Sequence, residues 1–182
     1  MNNEQLIDSG FLTQLRQSAK GATSIICFGL DPVIEALPKE YARKGINGFV
    51  SFMEKVLSQM VLKGLSPGMF KPNLAWWQDF DNPFDEKQFT GSKALVDMMK
   101  LAKAYFPYIP INTDYKNGDI GTSSTKWASY GFNRWCADAV TVHTYMGSDS
   151  ISPFTDYCNN EKRKGAYLLV KTGIIYNYRG LI

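Results

Sequence analysis

Three charged side chains lie within six residues of one another near the middle of the sequence. Asp114, Lys116 and Asp119 follow a short apolar run, Tyr108 to Ile111, which predicts a buried strand. On an extended backbone, Asp114 and Lys116 point to the same face, and Gly118 indicates a turn beside Asp119. Charges at the end of a buried strand are costly unless they pair or take part in chemistry. Two interpretations of these residues therefore stay open, a salt-bridged surface loop and a catalytic cluster.

The elements that must position this cluster are alternating strands and helices. Apolar runs predict five buried strands that end near residues 31, 71, 114, 144 and 171, and the run 69–77 predicts one extended segment. Amphipathic stretches predict helices between the strands, clearest at 46–62 and 92–105, and hydroxyl residues predict the N-terminal cap of a helix over 123–134. This alternation is typical of parallel βαβ units. It fits either a doubly wound sheet or a (β/α) barrel.

Polar side chains stand near the predicted carboxyl ends of several strands, where barrel enzymes carry their chemistry. These residues are Asp31, Lys71, Asp114, Lys116, His143 and Lys171. No Gly-x-Gly-x-x-Gly motif follows the first strand, which disfavours a dinucleotide-binding fold. A complete barrel has eight βα units and typically ~250 residues, whereas this chain has 182 residues. The sequence therefore predicts an α/β fold of the (β/α)8 TIM-barrel family, an incomplete barrel of about five to six βα units, as a single domain over 1–182.

Composition and charge exclude several classes of function. The net charge of +3 comes without a long basic run, so we expect no nucleic-acid partner. No segment approaches the ~18 apolar residues of a membrane helix, and the N-terminus lacks the apolar core of a signal peptide. We therefore expect a cytoplasmic protein without a membrane partner. Cys27, Cys136 and Cys158 lack metal-ligand spacing, which predicts buried or half-buried free thiols and no metal site.

Several of the polar and aromatic residues also have simpler interpretations when each is taken alone. Asp31 before Pro32 is typical of a turn or a helix cap, and Lys71 of a strand residue whose ammonium reaches solvent. His143, the only histidine, is expected to be a packed residue at a strand end. The Trp76–Trp77 pair is expected in the core or at an interface.

A set of motifs between residues 20 and 172 narrows these alternatives. They are Phe28-Gly29-Leu30-Asp31-Pro32, Phe70-Lys71-Pro72-Asn73, Asp114-Tyr115-Lys116-Asn117-Gly118-Asp119-Ile120-Gly121, Asp138-Ala139-Val140-Thr141-Val142, Tyr145-Met146-Gly147 and Asp149-Ser150. In this order and spacing they resemble the orotidine 5'-phosphate decarboxylase family, most closely its bacterial branch with the Tyr-Met-Gly segment. The resemblance implies a (β/α)8 barrel that removes CO2 from orotidine 5'-phosphate to give UMP in pyrimidine biosynthesis. It implies no metal or organic cofactor, and sites at the interface of a homodimer.

The resemblance also implies roles for the central charges. Lys116 corresponds to the proton donor, Asp114 faces the substrate carboxylate, and Lys71 touches the ribose and the charge network. Elementary chemistry agrees, because loss of CO2 leaves negative charge on a ring carbon, which a fixed ammonium stabilises and then protonates. A carboxylate beside the departing group is repulsive in the bound substrate and less so once neutral CO2 leaves. Alternating Asp and Lys side chains keep one another ionised.

The remaining site residues follow from the resemblance alone. Asp31 is expected to hydrogen-bond the ribose. Asp119 is expected to enter the site of the partner subunit, and Ile120 to line the pyrimidine. Ser123 stands where many members have a threonine that contacts ribose or phosphate.

The resemblance ends after Lys171-Thr172, where the family usually continues Ser-Asn-Pro. Residues 173–182 diverge, and the family's last strands and phosphate-gripping loops are missing, so the sequence predicts a C-terminally truncated barrel. We expect such a chain to be weakly active or inactive and to aggregate, because strand edges and apolar faces stay uncovered. Two alternatives stay open. One is a non-catalytic barrel fragment that acts by association; the other is a related Mg²⁺-dependent sugar-phosphate decarboxylase or synthase.

Overall fold

The computed structural model describes residues 10–86, 89–159 and 162–170. Its strands are β1 (Cys27–Gly29), β2 (Met69–Lys71), β3 (Asn112–Asn117), β4 (Ala139–His143) and β5 (Gly165–Leu169). Its α-helices are α1 (Phe11–Ala22), α2 (Lys39–Ala42), α3 (Gly45–Leu62), α4 (Leu74–Gln78), α5 (Thr90–Tyr105), α6 (Gly121–Ser129) and α7 (Ser148–Thr155). A 3-10 turn covers Ile34–Ala36, and a π-helical turn, Tyr130–Arg134, continues α6.

The spatial order of the strands decides between the two predicted architectures. β1 pairs with β2, and β3 with β4 and then β5, all in parallel. Parallel bridges from Phe70 to Ile111 and from Asn73 to Asp114 place β3 beside β2. The order 1-2-3-4-5 is that of a barrel, whereas doubly wound sheets reverse direction at a switch point. The predicted barrel-type fold, incomplete in number of strands, is confirmed.

The outward faces of the strands pack against the helices. Phe70 and Ile111 lie in one core with apolar residues of α3 and α5, among them Leu57 and Met98. Val140 and Val142 of β4 lie in a second core with α6 and α7. Because successive strand residues face opposite sides, Ala139, Thr141 and His143 of β4 face the barrel interior.

Helix α1 lies against the opposite end of the strands from the charged residues. Phe11 packs with Met69 and Ala139, and its ring meets that of Tyr167 edge-on, with 6.0 Å between the centroids. A side chain on Gly165 would overlap the Phe11 ring. This contact joins the first described helix to the last described strand, and we call it the floor contact.

The segment 69–77 is not one extended run, so that prediction was wrong. The strand ends at Lys71, and the side chain of Asn73 accepts a hydrogen bond of 3.1 Å from the Ala75 amide, which caps α4. Trp77 is buried and donates from Nε1 to the carbonyl of Leu30 at 2.8 Å. The polar groups that start a helix therefore override the apolar character of the segment.

The remaining predictions about the fold have mixed outcomes. Helix α6 follows Ile120 without a side-chain cap, so the predicted hydroxyl cap was wrong. The three cysteines are free as predicted, but they are exposed rather than buried. Lys171 and the divergent tail, 173–182, lie outside the described residues, and the single-domain assignment stays a prediction. Among the described residues, no helix is long and apolar enough to cross a bilayer.

Candidate active site

The side chain of Asp114 lies between two lysines at the carboxyl ends of β2 and β3. Its Oδ1 is 2.6 Å from Lys116 Nζ, and its Oδ2 is 3.2 Å from Lys71 Nζ. Thr141 of β4 also donates to Oδ1, at 2.6 Å. Only 7% of the Asp114 side chain is exposed, against 31% for Lys71 and 45% for Lys116. A buried carboxylate therefore supports two ammonium groups that reach solvent. We call these four residues the mouth cluster.

A bulge in β3 places Lys116 in this cluster. Thr113 is paired with Val140, and Asn117 with Val142. Between these two pairs the chain advances by four residues in β3 but by only two in β4. Lys116 has a left-handed φ of 50°. Asp114 and Lys116 do contact each other, as the sequence predicted. The prediction assumed an extended backbone, however, and Lys116 is not extended. Bulges of this kind redirect side chains next to active sites.

The charge state of Asp114 follows from competing influences on its pKa. Burial is the largest influence and by itself raises the pKa. Hydrogen bonds from Lys116 and Thr141, with the positive charges of Lys116 and Lys71, more than offset it, so the pKa lies below its ordinary value. Asp114 is therefore a carboxylate at neutral pH, and the three charged side chains carry a surplus of one positive charge.

Asp31 lies beside this cluster, after the end of β1. Its Oδ1 accepts a hydrogen bond of 2.8 Å from the backbone amide of Asn73. The bridge from Asn73 to Asp114 links this position to β3. Within the described residues Oδ2 of Asp31 has no hydrogen bond, so it can still accept one from a ligand.

Three residues singled out from the sequence, Asp119, Ile120 and Ser123, make no hydrogen bond or ion pair with Asp114 among the residues that the structure describes. Asp119 Oδ1 accepts from the amide of Ile120 at 2.7 Å, and in the described part of the chain it forms no ion pair. Ile120 is 59% exposed, and Ser123 is exposed on α6. The structure therefore joins Lys71, Asp114 and Lys116 by ion pairs. Within the described residues it shows no such contact from Asp119, Ile120 or Ser123 to them.

His143 ends β4 on the inward face. Its Nδ1 accepts a hydrogen bond of 3.2 Å from the Tyr145 amide, and the two rings meet edge-on. His143 ends the strand as expected, but it is exposed, so the expectation of a packed side chain was wrong. Of the two tryptophans, Trp77 is in the core as expected, whereas Trp76 is 47% exposed.

Sequence reasoning gave no role to Thr141, which the structure places against Asp114. A signal was available, because alternation along Ala139–His143 puts Thr141 on the same face as His143. The adjacent strand ends of a βαβ unit then bring it beside β3. The sequence alone does not single out Thr141, because its spacing from the charged residues does not distinguish it from the other threonines in predicted strands.

The arrangement suits chemistry on an anion. Two ammonium groups held on one carboxylate offer positive charge and protons to a ligand at the mouth, in fixed positions. The described residues contain no group of three or more His, Cys, Asp or Glu side chains that could hold a metal ion.

Comparison with known proteins gives a consistent result. Residues 25–175 match the model of the "Orotidine 5'-phosphate decarboxylase / HUMPS family". The chain is 30% identical over 162 residues to orotidine 5'-phosphate decarboxylase of Cellvibrio japonicus, covering 89% of this chain and 54% of that protein. It is 32% identical to the Delftia acidovorans enzyme, with 89% and 53% covered. A Toxoplasma gondii crystal structure described as an orotidine-monophosphate decarboxylase superposes with a TM-score of 0.72 at 30% identity, covering 92% of this chain and 50% of that one. The chain spans about half the length of the curated relatives it matches.

Proposed function

Because the chain belongs to the orotidine 5'-phosphate decarboxylase / HUMPS family, we propose that it serves to decarboxylate orotidine 5'-phosphate to UMP and CO2. The mouth cluster carries this proposal, since Lys116 and Lys71 both contact one buried carboxylate, that of Asp114. The curated relatives that bear the decarboxylase name are about twice as long. The proposal therefore concerns the reacting groups that this chain supplies.

Lys116 is the proton donor in this proposal. The bond between ring carbon C6 and the carboxylate breaks, CO2 leaves as a neutral molecule, and the electron pair stays on C6. The Lys116 ammonium lies at the mouth with nearly half of its side chain exposed. There it stabilises the developing negative charge and transfers a proton from Nζ to C6.

Asp114 and Lys71 hold the proton donor in place and set its charge. Asp114 accepts hydrogen bonds from both lysines and stays ionised, so Lys116 keeps its proton until C6 becomes basic. Its carboxylate faces that of the substrate, and the repulsion between them falls as CO2 departs. Lys71 contributes the second positive charge and a hydrogen bond to the ribose.

The remaining substrate contacts come from four residues. Asp31 binds the ribose through its free oxygen, and Ser123 contacts ribose or phosphate from α6. Asp119 and Ile120 cross the interface of a homodimer and complete the partner's site. The exposure of Ile120, and the lack of an ion pair between Asp119 and any lysine that the structure describes, support this arrangement. From the same family membership we also propose that the protein acts in the cytoplasm.

A decarboxylation assay tests the proposal directly. Purified chain is added to orotidine 5'-phosphate, and the loss of substrate absorbance is followed together with the release of UMP. Lys116→Ala is expected to lower the rate by about 10²-fold or more, because it removes both the stabilising charge and the proton. Lys100→Ala, on the exposed face of α5, is the matched control and should keep the rate of the unchanged chain.

Three outcomes would contradict the proposal. Because the sequence predicts weak activity or none, turnover is sought at high protein concentration. Its complete absence in monodisperse protein would favour a non-catalytic barrel fragment that acts by association. Equal rates for Lys116→Ala and Lys100→Ala would remove Lys116 from the mechanism. Loss of activity on adding EDTA would favour the Mg²⁺-dependent sugar-phosphate enzymes.

A further inference from the structure

We propose that Thr141 is a positioning residue that aligns the proton donor with its carboxylate, through one hydroxyl bonded to both Asp114 and Lys116. The inference deepens the proposed function and rests on it for its catalytic consequence. The geometric part of the inference stands on the structure alone and can be tested without substrate.

The hydroxyl of Thr141 makes two hydrogen bonds of opposite direction. It donates to Asp114 Oδ1 at 2.6 Å and accepts from the backbone amide of Lys116 at 3.1 Å. An ionised carboxylate can only accept and an amide can only donate, so these two contacts fix the orientation of the hydroxyl proton. The residue is buried, and water therefore does not compete freely for either bond.

The bulge in β3 explains why this hydroxyl is needed. Between the pairs Thr113–Val140 and Asn117–Val142, the ladder between β3 and β4 is interrupted. The Lys116 amide lies in this gap, in the left-handed conformation that non-glycine residues disfavour. The Thr141 hydroxyl accepts from this amide in place of a strand carbonyl, and so holds Lys116 where the ladder does not.

The same hydroxyl sets the direction of the Asp114 carboxylate. Oδ1 receives both the Thr141 hydroxyl and the Lys116 ammonium, the latter at 2.6 Å. Thr141 therefore holds the backbone from which the Lys116 side chain starts and also the carboxylate on which that side chain ends. Small displacements of a catalytic group lower rates strongly, by about 10²-fold for 1 Å.

Two substitutions remove the hydroxyl and one keeps it. Thr141→Val is nearly isosteric, Thr141→Ala avoids a second methyl group if the valine does not fit, and Thr141→Ser restores the hydroxyl. Thr144→Val is the matched control, because Thr144 donates to the carbonyl of Leu169 at 2.7 Å and does not contact Asp114. The carboxyl carbon of Asp114 and Nζ of Lys116 are titrated by NMR without substrate, and kcat and KM are then measured.

Without the hydroxyl we expect the pKa of Asp114 to rise by about one unit. We expect kcat to fall about ten- to hundredfold, while KM stays within about twofold of its value in the unchanged chain. Thr141→Ser is expected to restore the Asp114 pKa and kcat. Thr144→Val should change stability only. Unchanged Asp114 titration in both Thr141→Val and Thr141→Ala overturns the inference, and so does a Thr141→Ser variant as impaired as Thr141→Ala.

The titration separates this inference from the proposed function. If the unchanged chain does not turn over orotidine 5'-phosphate, the catalytic part fails with the proposed function. The titration still shows whether Thr141 positions the cluster. If turnover is normal and hydroxyl removal changes neither kcat nor the titration, the positioning role alone is wrong.

Discussion

Asp114 and Asp138 each pair with lysine at opposite ends of the same parallel strands. In the mouth cluster, Asp114 accepts from two ammonium groups and one hydroxyl. At the other end, Asp138 Oδ2 accepts from Lys103 Nζ and from the Ile111 amide, both at 2.9 Å. Lys103 also donates to the carbonyl of Ile109 at 2.8 Å. We call Asp138 and Lys103 the floor pair.

The two sites differ in how many N–H donors of their lysine ammonium groups remain free to bind a ligand. Lys103 is bound to a carboxylate and to a carbonyl, so the floor pair ties α5 to the segments that begin β3 and β4. The ammonium group of each lysine in the mouth cluster makes one hydrogen bond within the described residues, to Asp114, and an ammonium has three donors. The same residue types therefore form a structural tie at one end and a site with unused donors at the other. The candidate site is therefore distinguished by its surplus positive charge, and not by the presence of an ion pair.

The largest expected effect separates the two aspartates. Asp114→Asn is expected to lower decarboxylation by at least about 10²-fold, because the lysines lose their fixed partner. Asp138→Asn is expected to leave the rate per folded molecule unchanged and to lower the free energy of unfolding by about 1–2 kcal/mol, because Lys103 loses its charged partner although the amide oxygen can still accept. Steady-state kinetics and urea unfolding of both variants measure the difference. A catalytic defect in Asp138→Asn that exceeds its loss of folded protein would show that the floor pair is not purely structural.

A smaller effect is expected in the pH dependence of stability. The pKa of Asp114 is lowered in the folded protein, so its ionised form contributes to stability above the unfolded-state value of about 3.9. That contribution is lost as the pH falls through the still lower folded-state pKa. The difference in unfolding free energy between the unchanged chain and Asp114→Asn should be about 1 kcal/mol. It should be constant from about pH 5 to 7 and decrease below about pH 4. A difference that grows on acidification would show that Asp114 is not stabilised as a carboxylate.

The smallest effect uses Cys27 as a reporter of the mouth cluster. Although the residue is exposed, partial desolvation of its sulfur is the main cause that raises the pKa of the Cys27 thiol. The Lys71 charge lowers the pKa, and the charges of Asp114 and Asp31 raise it. Asp114→Asn should therefore increase alkylation of Cys27 at pH 8 by about two- to threefold, as the thiolate fraction rises. Peptide-resolved mass spectrometry measures the rate, with Asp138→Asn as the control. Equal acceleration in both variants would mean that general loosening of the fold, and not the lost Asp114 charge, makes Cys27 more reactive.

Much of this could be predicted from the sequence, because it depends on local periodicity. Apolar runs located the five strands, and their alternation with helices, together with polar residues at strand ends, favoured a barrel. The charged residues Lys71, Asp114 and Lys116 were identified for the same reason. Parallel strands bring their carboxyl ends to one side, so distant residues meet there.

The parts that could not be predicted depend on contacts between strands. The bulge at Lys116 arises from a mismatch in register between β3 and β4, which neither strand shows alone. The role of Thr141 depends on that bulge. Helix α4 was missed because the capping side chain of Asn73 counts for more than the apolar residues around it. The roles of Asp119, Ile120 and Ser123 stay predictions, since a single chain without substrate tests none of them.

The floor contact has a consequence for synthesis on the ribosome. Phe11 emerges early, but its partners Gly165 and Tyr167 are made roughly 150 residues afterwards, at ~5–20 residues per second. During that interval of about 8–30 seconds, the apolar face of α1 lacks part of the surface against which it packs. Nascent chains of this protein should therefore depend on chaperones until β5 has left the exit tunnel.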